Sequence, residues 1–314
     1  MPSDPKDETA VRILMIRMLG NDLSALHGET QTYDNLKFTL EHELCLPHIT
    51  KHYVLNRIVD PAKLERLEAL LQQYAAEYSV VPFVLEEFMR LGRVVLSGEH
   101  VLQNSKTRPA FMRELRTHNL YLVNNNGCRN WCIDYGKRMD FQWTVVLDSN
   151  SFFLPDAMRQ LHKTLTASPS VQYMAFTQVR LKDGELQNDT LLNSNASAAI
   201  QSLPPQEPQL AFHQDSTLSF NADIPYGSSP KAELLRVLGI PGKWRYWKDN
   251  MTHYRIPDRP PHFPKGTPRP VAVAPFPVIR LHPGNDANNI ASNYNRRILG
   301  VYGLCCSIWN RCDL

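Results

Sequence analysis

The sequence has no run of about 18 consecutive apolar residues, which excludes a hydrophobic helix spanning a bilayer. Its opening, MPSDPKDETAVRILMIRML, lacks the basic segment and apolar core of a secretory signal, so a cytoplasmic location is expected. A strong excess of charge of one sign is also missing. A net +3 over 314 residues, with basic side chains scattered rather than striped, argues against a nucleic-acid partner. Cysteine is sparse: six residues (Cys45, Cys128, Cys132, Cys305, Cys306, Cys312) read as reduced thiols, not a disulfide framework. Cys128 and Cys132 lie one helical turn apart, but no second pair at metal-ligand spacing accompanies them, so buried thiols are expected over zinc ligands. The glycosylation-type tripeptides at Asn188, Asn195 and Asn250 are expected to be coincidental in a chain without a secretory route. Internal repeats are absent.

What is present is ordinary globular material, 43% hydrophobic and 21% charged, enough for one large domain or two small ones. Residues 1–10 read as a disordered head. VRILMIR (11–17) predicts a buried strand, followed by a helix over about 35–44, and KHYVLNR (51–57) a second strand. DPAKLERLEALLQQYAAEY is the clearest helix: Asp60 is placed to cap it, Pro61 occupies its first position, and Leu64, Leu67, Leu70, Leu71 and Tyr74 share a face. SVVPFV predicts a third strand. Residues 88–117 carry no decisive pattern, and LYLVNN allows a short strand. Further on, 128–139 and 154–165 predict helices, and WTVVLD and 171–181 predict strands. A polar, proline-bearing loop is expected over 182–208, then a strand in QLAFHQDSTLSF, a helix in KAELLRVLG and a last strand in PVIRLH. Residues 250–277 hold much of the proline and are expected to be irregular, with a closing helix over 288–309. Alternation of strand and helix through the first 170 residues predicts an α/β fold, a mostly parallel central sheet flanked by helices. Residues 11–181 form its ligand-binding half and 182–314 a less regular second half of the same domain.

In such sheets ligands collect outside the carboxyl ends of the strands. Candidate strand ends carry Arg17; then Asn56, Arg57 and Asp60; then Asp148 with Asn150. A carboxylate at that edge suits a hard divalent cation that also holds phosphate oxygens, and Arg57 and Arg129 suit phosphate geometry.

The order of KHYVLNRIVDPAKLERLEALLQQY and then NNGCRNWCIDYGKRMDFQWTVVLDSNSF resembles glycosyltransferases of the GT-A fold, especially the family 2 type. Arg129-Asn130 matches that family's Arg-Asn pair, and Asp148-Ser149-Asn150 occupies the place of its Asp-x-Asp motif. The pattern covers about residues 10–180. The resemblance implies a metal-dependent transfer of a sugar from a nucleotide diphosphate donor to an acceptor, whether small molecule, glycan or peptide. It implies Asn56, Arg57, Asp60 and Arg129 near the nucleotide, where Arg17 is also expected from its strand end, and Mn2+ or Mg2+ held by Asp148, Asn150 and His282 of VIRLHPG. Asn150 departs from the family's second acid, which removes one negative charge, though its carbonyl oxygen can still ligate. For the base that activates the acceptor hydroxyl, FHQDSTLSFNADIPYG offers Asp215 and Asp223, with Asp215 preferred. Trp244, Tyr246 and Trp247 are expected either to stack on sugar rings or to pack the second half.

Two other readings stand beside this one. His213, Asp215 and His282, with Arg296 or Arg297, have the residue order of an iron(II)/2-oxoglutarate oxygenase, whose facial triad is two histidines and a carboxylate. A non-catalytic nucleotide or sugar binder is the other, with Asn150 as its sign.

Overall fold

The computed structural model describes residues 11–24, 26–94, 107–167, 170–180, 205–242, 244, 270–281 and 290–312. The strands are β1 (Ile13–Leu19), β2 (Ile49–Asn56), β3 (Glu77–Val81), β4 (Trp143–Asp148), β5 (Ser151–Phe152), β6 (Tyr173–Arg180), β7 (Gln206–His213), β8 (Val271–Val273) and β9 (Val278–Arg280). The helices are α1 (Gln31–His42), α2 (Pro61–Gln73), α3 (Leu85–Arg90), α4 (Arg108–Leu122), α5 (Asn125–Arg138), α6 (Pro155–Thr166), α7 (Ala232–Leu238) and α8 (Ile290–Cys312). The predicted strand in LYLVNN is instead the end of α4, where Leu115 and Leu122 recur at helical spacing on the buried side. The head at 1–10, most of the 182–208 loop and residues 250–269 lie outside the described residues.

One mixed sheet runs in the order β3-β2-β1-β4-β7-β6-β9-β5, with β8 beside β6. The strands β3, β2, β1 and β4 are mutually parallel, and β6, β8 and β9 share their direction. Only β7 and β5 run the other way. The second half of the chain therefore extends the same sheet.

Strand alternation sorts side chains onto two faces. Ile13, Met15, Val145 and Leu147 enter one apolar cluster, with Met158 and Leu161 of α6. Leu14, Ile16, Met18 and Val146 enter another, with Cys128 and Cys132 of α5. Those two thiols are buried core residues, as expected, and all six cysteines are free. The β1 strand is buried along its whole length, which is why ILMIRML reads as a continuous apolar run rather than an alternating one. Helix α2 starts as its sequence predicts: the Asp60 carboxylate accepts from the Ala62 N–H at 3.0 Å, and Leu67, Leu70 and Leu71 pack on Tyr53 and Leu55 of β2.

Arg17 interrupts the apolar run of β1 and falls on the face of Ile13 and Met15. There it meets Glu43, just past the end of α1, at 2.8 Å, and its guanidinium also donates to the Ser151 carbonyl at 2.9 Å. Both side chains are essentially inaccessible to water. A buried pair of this kind is costly to break from one side because the survivor is left charged in the core. Glu43→Ala should lower the unfolding free energy by about 3–5 kcal/mol in a denaturant titration. Replacing both partners with apolar residues (Arg17→Met with Glu43→Leu) should recover most of that loss. A double variant no more stable than the single one would contradict a buried, charge-driven pair.

Candidate functional site

The parallel strands β1, β2 and β4 deliver their carboxyl ends to one edge of the sheet, and a cleft of about 1110 Å3, solvent mouth included, opens there. Its near wall is an amide network. Asn21 donates to the Arg57 carbonyl at 2.7 Å and accepts from the Val59 N–H at 2.9 Å. Asn56, the last residue of β2, donates to the Val123 carbonyl and accepts from the Asn124 side chain, both at 2.9 Å. Asn124 sits in the left-handed region at φ 45°, a conformation asparagine tolerates better than most residues, and this aims the start of α5 at the cleft.

At the floor is Asp148. Its Oδ1 accepts from the Arg129 guanidinium at 2.8 Å, and its Oδ2 accepts from the Lys231 ammonium at 2.7 Å and the Gln209 amide at 3.1 Å. Lys231 also donates to Gln209 Oε1 at 2.9 Å, closing a ring of contacts. Asn126 builds the frame. Its Oδ1 accepts from Arg129 at 2.7 Å, while its Nδ2 donates to the carbonyls of Pro230 (2.7 Å) and Asn221 (2.8 Å). One side chain thus orients the arginine and pins the loop that carries the lysine. Burial would push the Asp148 carboxyl up, but Lys231 and then Arg129 outweigh it and hold the group far below the usual carboxylate range. Burial pulls the Lys231 ammonium down, opposed by Asp148 and reinforced by Arg129. Asp148 keeps 29% of its side-chain surface exposed, toward the cleft.

The structure brings together Asn56, Arg129, Asp148 and Asn150 from the predicted set, all lining this cleft. Others are elsewhere. Arg17 is not at a strand end, because β1 continues to Leu19, and its odd-numbered position turns it to Glu43 on the opposite face from Asp148. Arg57 lies over the Tyr121 ring at 4.1 Å and donates to the Tyr121 carbonyl, which ties β2 to α4 rather than to the cleft. Asp60 is an exposed helix cap. Asp215 is 69% exposed beside His213, on the far edge of the sheet: β7 is antiparallel to β4, so His213 pairs with Trp143 while Leu210 pairs with Val146. Five residue steps at about 3.3 Å each separate Trp143 from Asp148, roughly 16 Å. Asp223 is 72% exposed, 3.9 Å from Arg116, and does not line the cleft. His282 lies outside the described residues. The preceding Leu281 donates to the Asn150 carbonyl at 2.8 Å, on the Asp148 edge. His213 and Asp215 are therefore on the opposite edge of the sheet from Leu281, the last described residue before His282. Trp244 packs against the core cluster under α7 and donates to the Ile240 carbonyl at 2.7 Å; Tyr246 and Trp247 lie outside the described residues.

Cleft residues that the sequence did not mark include Lys231, Glu207, Asp22 and Arg280; Arg297, named only for the oxygenase reading, lines the cleft too, and Gln209 joins through its contacts with Asp148 and Lys231. Asp22 is held by Lys63 at 2.8 Å and Thr32 at 2.6 Å. Glu207 has its Oε1 buried with no hydrogen-bond partner among the described residues. Arg280 carried a sequence signal, as the charged residue in the otherwise apolar strand of VIRLH.

The donor set offers a hard cation the Asp148 carboxylate and the Ser149 and Asn150 oxygens, so it fits in kind. Both carboxylate oxygens already accept from cations, so an ion and Lys231 compete for Oδ2. Among the described residues no group of three His, Cys, Asp or Glu side chains is gathered for a metal.

His27 lines the same cleft and accepts the Leu23 N–H at Nδ1, 3.0 Å, which requires that nitrogen unprotonated. Burial lowers its pKa from 6.5 to about 4, with Asp22 opposing and Arg280, Lys63 and Arg297 adding to the fall. Between those values the unfolded chain binds a proton that the folded chain refuses, so stability falls as pH drops from about 6.5 toward 4. His27→Gln should flatten that part of the melting-temperature profile between pH 7 and pH 4.5. Parallel profiles for the two proteins would contradict a neutral, half-buried imidazole.

Comparison with family models finds no match, and comparison with curated proteins finds none either. Among solved structures the chain is similar to glucosyl-3-phosphoglycerate synthase from Mycobacterium tuberculosis, in a complex with Mn2+, uridine diphosphate and glucosyl-3-phosphoglycerate. The identity is 11%, over 95% of this chain and 80% of that one, with a TM-score of 0.37. It is similar also to a cytidylyltransferase from Leptospira borgpetersenii serovar Hardjo-bovis (9% identity, 76% and 68% covered, TM-score 0.27). A third is mouse xyloside xylosyltransferase 1 in its apo form (10% identity, 66% and 68% covered, TM-score 0.29). With TM-scores this low the likenesses carry no functional argument, and the cleft is read from its own side chains.

Proposed function

We propose that the chain is a glycosyltransferase that moves a sugar from a nucleoside diphosphate donor to an acceptor hydroxyl. The observation that carries this reading is Asp148, clamped between Arg129 and Lys231 at the carboxyl edge of parallel strands, in an open cleft. Two desolvated cations sharing one carboxylate leave positive charge facing the cleft, which suits a diphosphate. The amides of Asn21 and Asn56 supply a polar wall for a base or ribose.

In the transfer, the bond from the anomeric carbon to the β-phosphate oxygen breaks, and its electron pair leaves with the diphosphate. The acceptor oxygen forms the new bond and gives up its proton. Arg129 and Lys231 stabilise the charge growing on the leaving group, and they do so without reorganising because Asn126 and Gln209 already hold them. Asp148 keeps both cations in place and sets their separation. For the proton we assign Glu207. It stands at the start of β7, and an antiparallel strand brings its beginning, not its end, to this edge. This replaces Asp215 and Asp223 as the general base. If a Mn2+ or Mg2+ ion binds, Asp148, Asn150 and His282 would hold it, and it would add to the charge neutralisation on the diphosphate.

Release of nucleoside diphosphate from a panel of nucleotide sugars tests the reading. At least one donor should turn over. Lys231→Met and Glu207→Gln should each lower kcat by about 100-fold or more, with far-ultraviolet circular dichroism unchanged. Tight binding of a nucleotide sugar with no turnover would favour the non-catalytic binder. Full activity in both variants would overturn the catalytic roles of Lys231 and Glu207.

A further inference from the structure

Beside Arg129 and Lys231, two further cations, Arg280 and Arg297, line the cleft, and Arg180 lies close enough for their charge to act on it. Arg180 of β6 and Arg280 of β9 are register partners on parallel strands, so two like charges are set side by side where a sheet ordinarily avoids them. Arg297 of α8 joins them from the other side, its guanidinium 5.5 Å from the Tyr226 ring. Arg280, Arg297 and Tyr226 all line the cleft. The Nε of Arg280 is buried with no hydrogen-bond partner among the described residues, a donor left without its acceptor. Of the cleft acids, Asp148 is committed to Arg129 and Lys231, and Asp22 to Lys63. Glu207 is the remaining acid among the described residues that line the cleft.

We propose that Arg280 and Arg297 form an anion subsite that holds a phosphate or carboxylate carried by the acceptor, apart from the Asp148 clamp that meets the donor. This rests on the transferase reading of the cleft. Planar guanidinium forks match the paired oxygens of either anion, and an incoming anion would relieve the repulsion among the arginines. Burial first, and then Arg280 and Arg297, lower the Arg180 pKa to about 10. Glu207 acts electrostatically on both Lys231 and Arg280, and Asp148 reaches Arg280 as well, so both cationic groups open onto one cleft with Glu207 in it. A hydroxy compound anchored by its anion on Arg280 and Arg297 would present its hydroxyl to Glu207, and that carboxylate faces the donor on its other side. The acceptor class is therefore a small acidic alcohol.

Calorimetric titration with inorganic phosphate, in the presence and absence of saturating UDP or GDP, tests this. Phosphate should bind the nucleotide-saturated protein. Arg280→Gln with Arg297→Gln should weaken phosphate by about tenfold or more while nucleotide affinity stays within about twofold. Arg280→Lys, which keeps the charge and loses the fork, should fold normally and fall between the two, so a misfolded double variant cannot mimic the result. Competition between phosphate and the nucleotide would overturn the acceptor assignment and give the arginines to the donor. Unchanged phosphate binding in both variants would overturn the subsite itself. If neither nucleotide binds the wild-type protein but phosphate is still lost in the variants, the anion subsite is supported and the donor reading fails.

Discussion

A single carboxylate shared by two buried cations organises this cleft. Arg129 and Lys231 hold Asp148 ionised against the burial of its site, and Asp148 offsets the cost of burying the two cations beside it. The three come from distant parts of the chain: a helix start, a strand end, and the residue before α7. Asn126 joins them by holding Arg129 with one end of its amide and the Lys231 loop with the other. The arrangement is tightly hydrogen-bonded and carries two positive charges against one negative.

The sheet explains why these groups meet. Four parallel strands bring their carboxyl ends to one edge, which is where a doubly covered α/β sheet leaves its crevice. The antiparallel β7 then adds groups from its beginning, Glu207 and Gln209, and sends His213 and Asp215 to the opposite edge. The short β5 strand, antiparallel to β9, places Ser151 against Arg280 only three positions beyond Asp148. That pairing returns the far end of the sheet to the cleft and supplies its second set of cations.

Much of the fold is legible in the sequence because local rules decide it. Period and caps place α2, an apolar run places β1, and WTVVLD ends on the acid that lines the cleft. Asn56, Arg129, Asp148 and Asn150 follow from strand ends and from the Arg-Asn and Asp-x-Asn pattern. The departures are of two physical kinds. Arg17 falls elsewhere because one residue of strand parity decides which face a side chain takes, and parity depends on where the strand ends. Asp215 falls elsewhere because strand direction is a property of pairing, which no single segment encodes; a reversed strand exchanges the near and far ends of every residue on it. Lys231 carries no local signal at all. It follows SSP and precedes an ordinary short helix, and only tertiary contact with Asp148 distinguishes it from any surface lysine.

The claim at the centre is that positive charge gathered around Asp148 recognises a diphosphate. Calorimetry comparing UDP and GDP with uridine and guanosine at low and high salt reads it most directly. At least one diphosphate should bind about 100-fold or more tightly than its nucleoside, and that advantage should shrink as salt screens it. Equal affinity for nucleoside and diphosphate, or a preference indifferent to salt, would contradict it.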